Sequence, residues 1–259
     1  MWIAPGSSSY AEWSVDQEVR ALVSVRQGGV SAPPFDSLNL SFSVHDDPAA
    51  VALNRAQVAR WFGRSTNSMV FAEQVHENAV HVATLTDAGS TVARTDGLIS
   101  DRSGVILSLL FADCVPIFLA APKHGWIGIL HAGWRGTAAN IAQEAVSRLG
   151  EQGVPCQDLW AGIGPSIGRC CYEVDDPVIS QLKQAQGAGV PQLWSTPGRP
   201  GHFQLDLWEL NRRLLRAAGL PGHHIEISGL CTACHPEWFF SHRRDHGRTG
   251  RIGSFICRR

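Results

Sequence analysis

Apolar residues come in short runs along this chain, separated by polar turns that carry Gly, Pro and Asp. Residues 21–26 (ALVSVR) stop at Gly28-Gly29 and predict a strand, and 36–44 (DSLNLSFSV) has the alternation of another. Strands are also predicted at 69–76 (MVFAEQVH), 125–131 (GWIGILH), 158–164 (DLWAGIG) and 224–230 (HIEISGL). The longest apolar run, GVILSLLFADCVPIFLAA over 104–121, has about the length of a membrane span. Asp113 and Pro116 break its middle, however, and no Lys/Arg cluster flanks it. Two buried strands joined by a turn fit it better.

Helical periods lie between these runs. Asp47 as N-cap, Pro48 as first helical residue and Gly63 past the end bracket a helix over 48–62. The segment TAANIAQEAVSRLG (137–150) puts Ile141, Ala145 and Leu149 on one face. Asp175-Asp176-Pro177 starts a further helix, and 206–219 (DLWELNRRLLRAAG) forms another, closed by Gly219. No repeat, linker or low-complexity block divides the chain, which predicts one α/β (α+β) domain over 1–259 with mixed strands. The first helix holds an anomaly. Val51, Val58 and Phe62 share a face, and Asn54 and Arg55 fall close to it. A charge aimed at a core needs a partner or a ligand; a structural ion pair or a marginal position is the simplest alternative.

Composition narrows the function classes. The chain has 259 residues, 44% hydrophobic and 17% charged, with net charge −1. No basic field recruits a nucleic acid polymer or an anionic membrane. The start lacks a cationic segment followed by an apolar one, and the seven cysteines have no framework spacing. Reduced thiols in the cytoplasm are therefore expected.

Three zinc-type ligands stand at or beside predicted strand ends: His76, Cys114 and His131. If their strands neighbour one another, the three converge. Two imidazoles and a thiolate leave zinc an open fourth position, as catalytic sites do. Asp113, beside the thiol, is a candidate proton carrier. Arg135 and a helix start near Thr137 suit a phosphate. The same atoms also allow a metal-free reading, with Cys114 as nucleophile and His131 or His76 as base. His81 falls on the opposite strand face from His76, while His45, His124, His202, His223 and His224 lie in polar, solvated contexts. The loop FFSHRRDHGRTGR offers Arg243, Arg244, Arg248 and Arg251 to an anion; a solvated loop with an Arg–Asp245 pair is the alternative.

Two cysteine patterns remain. Cys231-Thr-Ala-Cys234-His235 has the form of a haem attachment site, but no export signal or distant axial ligand accompanies it. No second C-x-x-C accompanies it either, which argues against a four-cysteine zinc site. Cys170-Cys171 are expected to be buried free thiols.

Taken together, ADCVPIFL, HAGWRGTAANI, GPSIGRCCYEV and FFSHRRDHGRTGR, with SLNLSFSVHDDP and the Asn54-Arg55 pair upstream, resemble the YfiH-type proteins, also called the polyphenol oxidase or laccase-domain family. These are similar to zinc-dependent purine nucleoside phosphorylases, and some members are called peptidoglycan editing factors. The motifs run in order from about residue 24 to 256. The resemblance implies two mixed sheets in a sandwich flanked by helices, and a catalytic zinc on His76, Cys114 and His131. The family's QVHG is QVHE here, with Glu77 in place of glycine. The implied activities are phosphorolysis of adenosine, inosine, guanosine and methylthioadenosine, and adenosine deamination. The implied partners are a purine nucleoside and phosphate. Asp113 is assigned as proton carrier, with Asn39, Arg55, Arg135 and Arg243 as substrate contacts. Copper is the less expected metal: eleven histidines form no H-x-H, and the only methionines are Met1 and Met69. Alternatives to the phosphorylase are a cysteine or zinc amidase acting on cell-wall peptides, a copper-assisted phenol oxidase, and a binding protein with a structural metal.

Overall fold

The computed structural model describes all residues except Ser7 and Gln186. Two sheets face each other. One has seven strands, in the order Trp2–Ile3, Tyr10–Trp13, Val19–Ser24, Ile252–Arg258, Ile106–Phe111, Met69–Ala72 and Thr91–Val92. The other has six, in the order Ile225–Ile227, Trp160–Ile163, Val115–Ala121, Trp126–Ala132, Gly97–Ser100 and Val80–Val82. Both mix parallel and antiparallel pairs. A small third sheet of Glu173–Asp175, His202–Leu205 and Ser195–Pro197 lies outside them.

The two-residue side-chain period builds the layers. In Val115–Ala121, Phe118 and Ala120 enter the core between the sheets, while Val115, Ile117, Leu119 and Ala121 face outward. That outer face packs under the helices Ile141–Glu151 and Leu207–Ala217 through Ile141, Leu149, Leu210 and Leu214. In Ile106–Phe111, Leu107, Leu109 and Phe111 point between the sheets, and Ile106 points to the opposite face. There helix Pro48–Trp61 covers it with Val58 and Ala59. The result is helix, sheet, sheet, helix, an α+β sandwich as expected. Trp13 and Phe118 stack at 6.2 Å in its middle, over Gly162, where a Cβ would sit 2.5 Å from the indole.

Several elements depart from the predictions. The apolar run 104–121 does form two buried strands, but they belong to different sheets. Ala112-Asp113-Cys114 is thus a corner between layers, with Asp113 at φ 89°. Residues 36–44 form no strand; their alternation lines a loop with one short helical turn at Phe42–Val44, and Leu38 and Leu40 fill the core beneath Pro48–Trp61. The strand from Met69 stops at Ala72 rather than at His76. The helix expected over 137–150 is split into Trp134–Ala138 and Ile141–Glu151. Asn140, at φ 57°, breaks it and its side chain caps Gln143 N–H.

The anomaly on the first helix resolves into two roles. Asn54 is buried, accepts from Val30 N–H and donates to Ser31 Oγ and to the carbonyls of Ser37 and Asn39. It pins the irregular 30–40 segment that replaces the expected strand. Arg55 donates to Leu40 O and lies over the rings of Phe71 (3.8 Å) and Phe42 (4.4 Å).

Because Phe118 fills the gap between the sheets, Phe118→Ala is expected to cost about 3–5 kcal/mol. Chemical denaturation followed by tryptophan fluorescence checks this; a loss below about 1 kcal/mol would contradict the packing described.

Candidate metal centre

Side-chain parity carries His131 to the open end of the sandwich. On Trp126–Ala132, Ile127 and Ile129 face the inter-sheet core. His131 has the same parity, is buried, and packs at 5.4 Å on Phe111 of the other sheet. Cys114 arrives from the corner between the layers, and its half-buried thiol faces both His131 and His76. His76 arrives from a loop. Gln74 first mimics a strand pair, its side-chain amide bonding Leu110 N–H and O. The chain then turns at His76, φ 62°, and points the ring at His131, centroids 4.7 Å apart. The ligand atoms of His76, Cys114 and His131 all lie within 4.8 Å of one another.

Asp96 sets this geometry, and the sequence reading did not select it. Its buried carboxylate accepts the backbone N–H groups of Val75 (3.1 Å), His76 (3.0 Å) and Glu77 (2.9 Å). It also bonds His131 Nδ1 at 2.7 Å, and its own carbonyl accepts His131 N–H at 2.7 Å. With Nδ1 so engaged, Nε2 of His131 is left to face the thiol. Glu77 contributes its backbone N–H to the same clasp. An aspartate in a short loop before a strand reads as an ordinary turn residue; only the folded chain shows its bonds.

The electrostatics follow. Burial alone would push the Cys114 thiol up, but the imidazoles of His131 and His76 outweigh it and bring it down to about 6. Burial would likewise lower His131, but Cys114 and Asp96 raise it to about 9. Burial would raise Asp96, yet its bonds from His131 and the backbone hold it below the usual carboxylate range. Gly133 follows His131 closely; a Cβ there would lie 2.9 Å from Cys114 Sγ and 3.3 Å from His76 Nδ1. Two nitrogens, one sulfur, a carboxylate behind one histidine and a space kept clear by glycine fit zinc, with a fourth position open to the cleft.

The cleft is a cavity of about 890 Å³. Asp113, Arg55, Arg135, Arg243 and Arg251 line it together with the three ligands. Asp113 accepts from Thr232 Oγ1 and Arg243 N–H, both at 2.6 Å. Arg243 lies over Tyr172 and Arg135 over Trp134. Arg55 and Arg251 are partly withdrawn from water, and burial lowers both, Arg55 to about 10. Among the described residues no carboxylate forms an ion pair with either.

Other expected residues stand elsewhere. Asn39 does not line the cleft: it is buried, donates to Ser41 O and Asp46 Oδ2, and accepts Arg251 N–H. Its amide is spent on Ser41, Asp46 and Arg251, which places it behind the cleft lining and not in it, unlike the expected substrate contact. Arg244 is tied to Asp245 and to the carbonyls of Thr232 and Phe239. The helix start near Thr137 is also corrected: Thr137 lies inside the short turn, and its hydroxyl bonds Ala132 O. Nor are all the remaining histidines merely solvated. His81 pairs with Asp87, His124 with Asp158, and His224 stacks on Trp160 at 3.9 Å. The four thiols Cys170, Cys171, Cys231 and Cys234 gather into one cluster. Cys170 is exposed and Cys171 half-buried, against the expectation of buried thiols.

Residues 20–259 match the model of the family described as multi-copper polyphenol oxidoreductase laccase, and the chain belongs to that family. It is 44% identical over 246 residues to a Geobacillus stearothermophilus protein named purine nucleoside phosphorylase YlmD, covering 92% of this chain and 89% of that one. It is 41% identical to the Bacillus subtilis protein of the same name, covering 93% and 89%. The crystal structure of Bacillus licheniformis hypothetical protein YfiH superposes with a TM-score of 0.94 at 40% identity, covering 99% of this chain and 97% of that one.

In protein stripped of metal by chelator, Cys114 should be half-ionised near pH 6, against about 8.5 for an ordinary thiol. Its alkylation, followed by peptide mass spectrometry, should therefore lose rate only as pH falls through about 6. A midpoint above 8 would contradict the His131–Asp96 support. Asp96→Asn should raise that midpoint and weaken zinc binding about 10–100-fold in chelator competition.

Proposed function

We propose that this chain is a zinc-dependent phosphorylase of purine nucleosides, acting in the cytoplasm on adenosine, inosine, guanosine and methylthioadenosine, and that the same site deaminates adenosine. One observation carries the reading: Arg55 and Arg251, both partly withdrawn from water and, among the described residues, in no carboxylate ion pair, open into the same cleft as the three-ligand set. Half-buried guanidinium groups held in no direct ion pair suit an anionic substrate, and phosphate answers Arg forks well. The names of the relatives agree with this choice.

In phosphorolysis a phosphate oxygen bonds C1′ of the ribose, the C1′–N bond to the purine breaks, and the leaving base takes a proton. His76, Cys114 and His131 would hold the metal. When bound, zinc supplies a Lewis acid for orienting phosphate or for activating the water that deamination needs. Arg55, Arg135, Arg243 and Arg251 bind and orient the anion. Asn39 acts on it only through Arg251, whose N–H it holds. Asp113 holds the Arg243 backbone in place and, with a lone pair left on each oxygen, carries the proton between cleft and base.

A second reading has its own support. Cys114, His131 and Asp96 stand in the order of a nucleophile, a base and an orienting carboxylate. A metal-free amidase would use them so. His76 favours the metal: a dyad has no use for a second imidazole turned onto the same sulfur at the cost of a left-handed backbone.

The test is base release from a nucleoside panel with and without phosphate, together with metal analysis. Release should require phosphate and zinc, and His131→Ala should remove turnover together with the zinc held by His76, Cys114 and His131. Amidase activity on cell-wall peptides in metal-free protein, with no base released from any nucleoside, would overturn the proposal. Arg55→Gln should raise the KM for phosphate about tenfold or more, consistent with losing a charged hydrogen bond of about 1.5–3 kcal/mol, while the nucleoside KM moves little. In Asp113→Asn, unchanged phosphorolysis would remove the proton role. The zinc form should not oxidise phenols unless copper is added.

A further inference from the structure

Away from the cleft ligands, four cysteines from two loops converge. Cys170 and Cys171 follow the strand Trp160–Ile163, and Cys231 and Cys234 follow Ile225–Ile227, its parallel neighbour. The bridge Ser166–Cys231 extends that pairing, with Ser166 N–H to Leu230 O at 3.2 Å and Thr232 N–H to Ser166 O at 3.0 Å. Beyond it the loops curl together. Cys234 Sγ lies 3.5 Å from the sulfurs of both Cys170 and Cys171, and all four sulfurs lie within 4.8 Å of one another. Gly168 N–H donates to Cys231 Sγ at 3.2 Å, a bond that favours thiolate. A Cβ on Gly168 would sit 3.2 Å from Cys231 Cβ, 3.3 Å from Cys170 Sγ and 2.9 Å from the Trp208 ring. The close approach of the two loops therefore needs glycine at that position.

We propose that Cys170, Cys171, Cys231 and Cys234 form a tetrathiolate zinc site, separate from the site on His76, Cys114 and His131. The spacing suits the ion: zinc about 2.3 Å from each of four tetrahedral sulfurs separates them by about 3.8 Å. A disulfide brings its sulfurs to about 2.05 Å, far closer than any pair here. Nor do these thiols serve as small apolar filler, the common role of free cysteine, because Cys170 and Cys234 are exposed. His235, the last residue of the C-x-x-C-H pattern, is engaged elsewhere, bonded to Glu237 at 2.9 Å and stacked on Trp238 at 4.9 Å. Binding replaces the thiol protons and releases them to solvent.

The position gives the ion a structural task. Tyr172, next to Cys171, lines the cleft under Arg243. Thr232, next to Cys231, donates to Asp113. Zinc would fasten the two loops that form this wall, far more firmly than the short backbone bridge alone.

Metal analysis of the purified wild type should find two zinc ions per chain. His76→Ala/His131→Ala should keep one, and Cys170→Ser/Cys234→Ser should also keep one while retaining the zinc on the histidine site. Wild-type zinc content in the cysteine variant, or iron in place of zinc, would overturn the proposal. A measurement on the unaltered protein guards against a variant that fails to fold. Free, exposed Cys170 and Cys234 would react with a thiol reagent at once; zinc-bound, they should react only after a chelator is added. Prompt reaction without chelator, or a disulfide among the four found by mass spectrometry, would equally contradict the site.

Discussion

The carboxylate of Asp96 is buried completely, yet both of its oxygens are occupied by donors from two directions. From one side come the backbone N–H groups of residues 75–77, and from the other comes the ring of His131. A buried charge without such partners would cost several kcal/mol; with them it becomes a clamp. The clamp joins a loop following the seven-stranded sheet to the last turn of a strand in the six-stranded one. It fixes the left-handed turn at His76 and the ring orientation of His131 together. Had either been left to loop entropy, the two imidazoles would not share one thiol.

The sandwich provides the place where that clamp is useful. Cys114 can reach it because the chain changes sheets at Ala112-Asp113-Cys114, which puts the corner at the open end of the inter-sheet core. Phe111 on one side of the corner supports His131, and Val115 on the other begins the strand that pairs with it. The cleft wall then comes from loops that cross this end. Asp113 receives Thr232 and Arg243 from two of them, and Asn39 receives Arg251 from a third. Cationic side chains are thereby gathered around the ligand set although the whole chain is close to neutral. Local placement, not net charge, makes the site suited to an anion.

Much of this was legible in the sequence where a local rule applied. The helix from Pro48 starts and ends at its Asp47 cap and Gly63 turn. The broken apolar run became two strands, and the three candidate ligands converged, although His76 reaches the others from a loop beyond its strand and not from the strand end the pattern suggested. Rules failed where long-range contacts decided the outcome. The alternation at 36–44 reflects burial of Leu38 and Leu40 beneath a helix, not pairing in a sheet. Asn140 looked like an interior helical residue, but its side chain offered the backbone a competing cap. Asp96 has no periodicity or motif that marks it. The cysteine quartet joins a vicinal pair to a C-x-x-C across a parallel strand bridge, a spacing that no single sequence pattern spans.

Anomalous diffraction at the zinc edge from crystals of the purified protein would locate the metal directly. A zinc peak is expected between His76, Cys114 and His131, with a fourth position facing the cleft and His131 Nδ1 still on Asp96. Absence of a peak between these three residues in protein that turns over a nucleoside, or a zinc closed by a fourth protein ligand, would contradict this arrangement.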